Sequence, residues 1–202
     1  MGKYDWDLWT VGSYEINSVK SYSPIRSLRN VTGATRLFWS GDSSLTEVGV
    51  SAQIKQETNF NNNNRFALFA RMATMGVYSP SQPVYTGYWA RFWCSNETTG
   101  NLQFEFYRAK IGLNTSLVGV QNYLIPGIGT AWLKVRFSVR DEFGMPVLRL
   151  ERWVDSAWNT LYEYQDVSAN AIFSGGFAGF GFDRNDNTNS LYFDDIVISS
   201  FA

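Results

Sequence analysis

The stretch AWLKVRFSVR, residues 131–140, sets Leu133, Val135, Phe137 and Val139 at every second position, with Trp132, Lys134, Arg136, Ser138 and Arg140 between them. Side chains on a strand point to alternate faces, so this spacing predicts a strand that is apolar towards a core and polar towards solvent. LTEVGVSAQIK at 45–55 repeats the pattern, opposing Val48, Val50, Ala52 and Ile54 to Glu47, Ser51, Gln53 and Lys55. NLQFEFYRAK at 101–110 opposes Leu102, Phe104 and Phe106 to Gln103, Glu105 and Tyr107. Half-polar strands of this kind belong to antiparallel sheets that are packed on one side.

Further strand candidates flank these three: WTVGSYEI (9–16), TRLFWS (35–40), RFALFARMA (65–73), GYWARFW (87–93), SLVGVQN (116–122), VLRLERWV (147–154), NTLYEYQD (159–166), GFAGFGF (176–182) and SLYFDDIVIS (190–199). Turn-forming clusters separate them, among them SGDSS (40–44), SNETTGN (95–101) and DEFGMP (141–146). About a dozen short strands with no long helix predict an all-β, two-sheet antiparallel sandwich of the jelly-roll kind. No linker or shift in composition divides the chain, so residues 1–202 are expected to form a single β-sandwich domain.

Composition narrows the function. A chain of 202 residues buries roughly 70% of its unfolded surface and needs no staples. The net charge is −1 with both signs interspersed, so no basic stripe is present to neutralise phosphates, and nucleic acid is not an expected partner. No apolar run reaches the ~18 residues of a membrane span, and MGKYDWDLWT lacks the apolar centre of a secretory signal. The absence of histidine removes Ser-His-Asp and Cys-His catalysis and imidazole metal ligation. Cys94 is the only cysteine and reads as a small buried apolar residue. Aromatic residues make up 17% of the chain, enough for stacking surfaces that suit sugars or partner proteins.

The order of features resembles the concanavalin A-like, laminin-G-like jelly roll. RFALFARMA is similar to a strand ending in arginine, and GYWARFW to the tyrosine-rich strand that follows it. TAWLKVRFSV with LRLERWVDSAW resembles the paired back-sheet strands, and GGFAGFGF with LYFDDIVIS the closing hairpin. The resemblance spans roughly residues 45–199. It implies a module found in lectin-like domains, glycan-binding modules, some glucanases and lyases, and phage virion proteins. A chain without histidine, disulfide or signal sequence looks most like the phage type.

Catalysis finds little support. Retaining glycosidases need two carboxylates about 5–5.5 Å apart, which on a strand means positions i and i+2. The glucanases of this fold carry a Glu-x-Asp-x-x-Glu strand, and no such run is present. Glu105 stands alone, and Glu151 and Asp155 are too far apart along their strand. A Tyr/Arg lyase site would have to be built from Tyr107, Arg71 and Arg91. The chain is therefore expected not to be an enzyme, with a polysaccharide lyase or glycosidase as the weakest alternative.

Two sets of residues are singled out for binding. Alternation groups Trp89, Arg91 and Trp93, to which Arg71 with Ala67 and Phe69, and Glu105 with Tyr107, would add from neighbouring strands. Such a face offers rings for sugar C–H surfaces and charged groups for hydroxyls, and in glycan-binding relatives the concave sheet serves this purpose. The bland reading is a ladder of Trp, Arg and Glu covering the sheet. A second face would be assembled from Trp132, Arg136, Arg149, Glu151 and Trp153. In the final strand, Asp194 and Asp195 are adjacent and so point to opposite faces, with Tyr192, Ile196 and Ile198 on the Asp194 side and Leu191, Phe193 and Val197 on the other. A buried carboxylate must be paired, hydrogen-bonded or metal-bound. Members of the family often hold a structural calcium near the last strand, which makes Asp194 or Asp195 its candidate ligand. DRNDNTNSLYFD (183–194) also spaces Asp183, Asn185, Asn187, Asn189 and Asp194 like a degenerate calcium loop, but Thr188 stands for the required Gly and Asp194 for the bidentate Glu, so a polar hairpin turn is the preferred reading.

These features predict a binding or structural module. The first expectation is a phage virion component, a capsid-decorating or tail-associated protein located in the particle. It would adhere to neighbouring subunits or to itself through exposed aromatic and arginine faces. The alternative is a lectin-like module that binds glycans.

Overall fold

A computed structural model describes residues 6–10, 13–17, 27–32, 35–39, 44–57, 65–79, 82–96, 100–110, 113–125, 131–184 and 191–201. Fourteen strands run through them: β1 (Trp6–Thr10), β2 (Ser13–Asn17), β3 (Ser27–Thr32), β4 (Thr35–Trp39), β5 (Val48–Gln56), β6 (Arg65–Ser79), β7 (Gln82–Asn96), β8 (Asn101–Lys110), β9 (Leu113–Leu124), β10 (Leu133–Glu142), β11 (Met145–Val154), β12 (Ala157–Gln165), β13 (Phe177–Arg184) and β14 (Leu191–Ser200). They form two seven-stranded sheets, ordered β1-β4-β13-β6-β7-β8-β9 and β12-β11-β10-β5-β14-β3-β2. The all-β sandwich is thus the one that alternation predicts. The run 9–16 is not a single strand: it splits into β1 and β2, which enter opposite sheets, and β3 has no counterpart among the predicted strands.

Register explains why the alternating residues form one core. Ile54, Val50 and Val48 of β5 lie opposite Leu133, Phe137 and Val139 of β10, and the latter two lie opposite Leu150 and Leu148 of β11. All are buried, and they meet Leu102, Phe104 and Phe106 from the other sheet. Phe66, Phe182 and Phe180 surround Phe193 with ring centroids 5.0–5.2 Å away. Each such side chain contributes about 1.5–3 kcal/mol by leaving water.

Cys94 lies in this core, with its backbone N–H donating to Gln56 Oε1 at 3.0 Å. Burial pushes its thiol up to about 12. A thiolate is the reactive form, so the native protein should resist aromatic disulfide reagents at pH 8. Labelling is expected to follow global unfolding as denaturant is added; rapid labelling of native protein would contradict this placement.

Two bulges change the pattern of faces. In β6 the register against β7 shifts between Ala70 and Ala73, and Arg71 adopts φ 53°. In β14 the register against β5 shifts between Asp194 and Val197, and Asp195 adopts φ 47°. An extra residue reverses the parity of everything beyond it. Ile196 and Ile198 therefore pack on the same core as Leu191 and Phe193. The predicted grouping of both isoleucines with Tyr192 and Asp194 is corrected accordingly.

Candidate functional site

The structure brings five of the six predicted ligand residues together on the outer face of the first sheet. Trp89 lies opposite Tyr107, Arg91 opposite Glu105, and Trp93 opposite Gln103 across the β7–β8 ladder. The Trp89 and Tyr107 rings stack at 5.3 Å. Arg91 donates from Nε to Glu105 and from Nη2 to the Tyr107 hydroxyl, and its guanidinium sits 4.4 Å from the Tyr107 ring centroid. Trp93 Nε1 donates to Gln103 Oε1 at 2.8 Å, and Gln103 Nε2 donates to Asn122 Oδ1 at 2.6 Å. Burial raises the pKa of Tyr107 above the ordinary phenol value despite the nearby Arg91 charge.

This face is not the open platform that alternation suggested. Trp89 is only 5% exposed and Trp93 only 2%. Phe69, Met72, Ala67 and Ala109 pack with Trp89 in a second apolar cluster. The ladder satisfies its own polar groups and leaves Arg91 and Tyr107 only partly accessible. Alternation can show that residues share a face, but not whether that face meets water.

Arg71 is not part of this face. Its bulge turns it into the protein, where it is fully buried. Nε donates to Thr46 O at 2.5 Å, Nη1 to Ile172 O at 2.7 Å and Nη2 to Asp141 Oδ1 at 2.8 Å. Gly176 makes room for the bulge, since a Cβ there would lie 2.4 Å from the Arg71 carbonyl carbon. The trio Tyr107, Arg71 and Arg91 is therefore not assembled as a lyase site. Glu105 and Glu151 sit on different sheets, each held by its own arginine, and so do not converge on one bond.

A second buried network lies at the same end. Arg108 Nη1 donates to both Asp166 oxygens at 2.9 and 2.7 Å, and the Tyr88 hydroxyl donates to Asp166 Oδ2 at 2.8 Å. The Ile172 N–H donates to that hydroxyl at 2.7 Å, and the Ser168 N–H donates to Asp166 Oδ1 at 3.2 Å. Sequence reasoning did not single out Asp166 or Arg108. Together the two networks hold residues 166–172 against the sandwich.

The expected calcium ligands do not make a cation site among the described residues. Asp194 is buried and its Oδ1 accepts the Asp195 N–H at 2.7 Å, whereas Asp195 is exposed. No group of three acidic, histidine or cysteine side chains gathers to hold a metal among the described residues. Calcium takes six to eight oxygens, so a site at Asp194 would need backbone carbonyls or further groups beside this carboxylate. Asn185, Asn187 and Asn189 of the second calcium candidate lie outside the described residues.

The second predicted face assembles in large part. Arg136 forks onto Glu151 at 2.6 and 2.7 Å, and Arg149 Nε donates to Glu163 at 2.6 Å while its Nη groups hold Glu142. Trp153 meets Trp158 edge-on at 5.2 Å, and the Arg136 guanidinium lies 4.3 Å from the Trp158 ring centroid. Trp132 instead lies against Tyr192, with centroids 6.5 Å apart. The guanidiniums of this face are committed to carboxylates, so it reads as a self-satisfied ladder.

An open groove lies elsewhere, at the flank where edge strand β9 of the first sheet meets the β11–β12 hairpin of the second. It encloses about 420 Å³ and is lined by Tyr123 and Leu124 from β9 and by Arg152, Val154, Asp155, Ala157, Asn159 and Leu161 from the hairpin. Tyr123 is 40% exposed and Leu124 62%. Arg152 lies opposite Asn159 in the ladder. Asn159 Nδ2 donates weakly to Val154 O and Ala157 O at 3.4 and 3.3 Å. The volume suits a small ligand, and the lining combines one ring, aliphatic surface, a cation, a carboxylate and an amide. One signal was present in the sequence: in VLRLERWV, Arg152 falls on the parity of Leu148, Leu150 and Val154, a cation on the apolar face.

The fold is a concanavalin A-like jelly-roll sandwich, and solved structures of that class superpose on nearly the whole chain. Carbohydrate-binding module CBM66 from Bacillus subtilis is similar with a TM-score of 0.56 and 14% identity, covering 99% of both chains. A legume lectin-like domain from Entamoeba histolytica gives a TM-score of 0.59 at 8% identity, over 98% of this chain and 90% of that one. The VIP36 exoplasmic/lumenal domain, bound to Ca2+ and Man3GlcNAc, gives 0.62 at 10% identity, over 98% and 84%. No family model and no curated protein sequence matches the chain.

Proposed function

We propose that this chain is a non-catalytic carbohydrate-binding module whose ligand lies in the groove between β9 and the β11–β12 hairpin. The observation that carries this reading is the groove's lining. Tyr123 and Leu124 present apolar surface to sugar C–H groups, while Arg152, Asp155 and Asn159 offer a donor, an acceptor and an amide to hydroxyls. On the other candidate face, Trp89 and Trp93 are almost wholly buried. Support comes also from the structural neighbours, which include a carbohydrate-binding module and the VIP36 exoplasmic/lumenal domain with Man3GlcNAc bound. Nothing in the comparisons supports the virion component that the sequence alone favours. Some neighbours carry Ca2+, while the proposed binding scheme rests on the groove's own side chains.

Glycan-array screening followed by titration calorimetry tests the reading. At least one immobilised oligosaccharide should be retained. Tyr123→Ala should weaken that binding about tenfold, equivalent to ~1.4 kcal/mol, without changing the melting temperature by more than a few degrees. Failure to retain any glycan across a broad array would overturn the reading.

A further inference from the structure

We infer that the groove selects sugars bearing a carboxylate, with Arg152 as the group that recognises it. This inference rests on the glycan-binding reading above. Its starting point is the fate of the arginines. Arg71, Arg91, Arg108, Arg136 and Arg149 each face a carboxylate. Arg152 lines the groove, is only half-buried and has no carboxylate partner among the described residues. Its Nε lacks an acceptor, but so do those of Arg65, Arg108 and Arg140; what sets Arg152 apart is its place in the groove lining, where a ligand atom can reach its guanidinium.

The chemistry of that atom follows from the guanidinium. It is a planar donor-only fork that stays charged at any physiological pH, and its best complement is an oxyanion with two parallel acceptors. A sugar carboxylate supplies this pair, and charge-assisted bidentate bonds are stronger than those to neutral hydroxyls. Tyr123 and Leu124 then lie where the pyranose ring can rest on apolar surface.

Asp155 is the one carboxylate in the groove lining, and it repels an anion. It is exposed, at the β11–β12 turn, so water and salt screen its charge more than that of half-buried Arg152. The less screened cation outweighs the acid at the rim. A neutral ligand would use the same pair differently, accepting from Arg152 and donating to Asp155 through neighbouring hydroxyls. Asp155 therefore separates the two cases, because its negative charge hinders an acidic sugar and assists a neutral one.

The test titrates the full chain with uronate oligosaccharides and sialylated glycans, each paired with its carboxyl-reduced counterpart, at low and moderate salt. At least one acidic ligand should bind about tenfold or more tightly than its reduced partner, with affinity falling as salt rises. Arg152→Gln should abolish that preference, Arg152→Lys should keep only part of it, and Asp155→Asn should tighten acidic binding severalfold. Circular dichroism of the variants checks that they fold. Equal binding of acidic and reduced ligands, or weaker binding by Asp155→Asn, overturns the carboxylate inference and leaves the module a glycan binder. Binding that survives both Arg152→Gln and Tyr123→Ala overturns the groove as its site. Binding of no oligosaccharide overturns the glycan reading itself.

Discussion

Replacing Asp166 with Ala should lower the free energy of unfolding by about 3–5 kcal/mol, as expected when one member of a buried ion pair is removed. Asp166 is fully buried and Arg108 is nearly so. The substitution leaves the guanidinium without its counter-ion, the Tyr88 hydroxyl without its acceptor and the Ser168 N–H without its partner. Total stabilities are only about 5–15 kcal/mol, so the variant should lose a large fraction of its margin. Urea melts would show the midpoint falling with the slope unchanged. The double variant Asp166→Leu/Arg108→Met removes both charges and should recover much of the loss, because an apolar pair carries no desolvation penalty. A single variant within 1 kcal/mol of wild type would mean that the pair does not hold residues 166–172 in place.

The same network sets a pH dependence. Burial pushes the Asp166 carboxyl up, but hydrogen bonds from Arg108, Ser168 and Tyr88 together outweigh it and leave the pKa below its ordinary value. A depressed carboxyl contributes stability above its unfolded pKa of about 3.9 and loses it as the pH falls through the folded value. Glu142, lowered by its hydrogen bonds from Arg149, adds to the same acid limb. Tyr88 acts on the other side. Burial raises its phenol, so its contribution is present below about pH 10 and is lost as the pH rises further. Asp166→Asn should therefore show a shallower loss of stability below pH 4 than wild type.

Much of the fold follows from side-chain parity. Val48 to Ile54 on β5 and Leu133 to Val139 on β10 alternate without interruption, and every apolar position named for them is in the core. The candidate site was less legible, for three physical reasons. Arg71 and Asp195 sit at bulges, and nothing local in RFALFARMA or LYFDDIVIS marks the extra residue that reverses parity. Trp89 and Trp93 share the predicted face with Arg91, but their burial depends on what packs over that face. The groove needs β9 and β12, edge strands of different sheets, to approach each other, a long-range relation that no pairwise spacing encodes. Arg152, a charge on an apolar parity, is a trace of it in the sequence that reading by alternation passed over.

Arg71→Ala should be as damaging as the loss of Asp166, by about 3–5 kcal/mol, for a related reason. Arg71 joins three segments distant in sequence: Thr46 before β5, Asp141 at the end of β10 and Ile172 before β13. Truncation leaves two carbonyls without this donor and Asp141 without its cation. Arg71→Lys keeps the charge, but an ammonium on a single stem cannot aim at three diverging acceptors in place of the fork, so most of the loss should remain. Gly176→Ala attacks the bulge from outside: its Cβ would fall 2.4–2.7 Å from backbone atoms of Arg71 and Met72, which a flexible side chain cannot relieve. Such overpacking costs at least about 1–3 kcal/mol. Because Gly176 and Arg71 act on one bulge, the two losses should be less than additive when combined. Calorimetric melts of the single and double variants measure this directly. Full additivity, or a silent Gly176→Ala, would show that the bulge yields freely and that Arg71 is held by its partners alone.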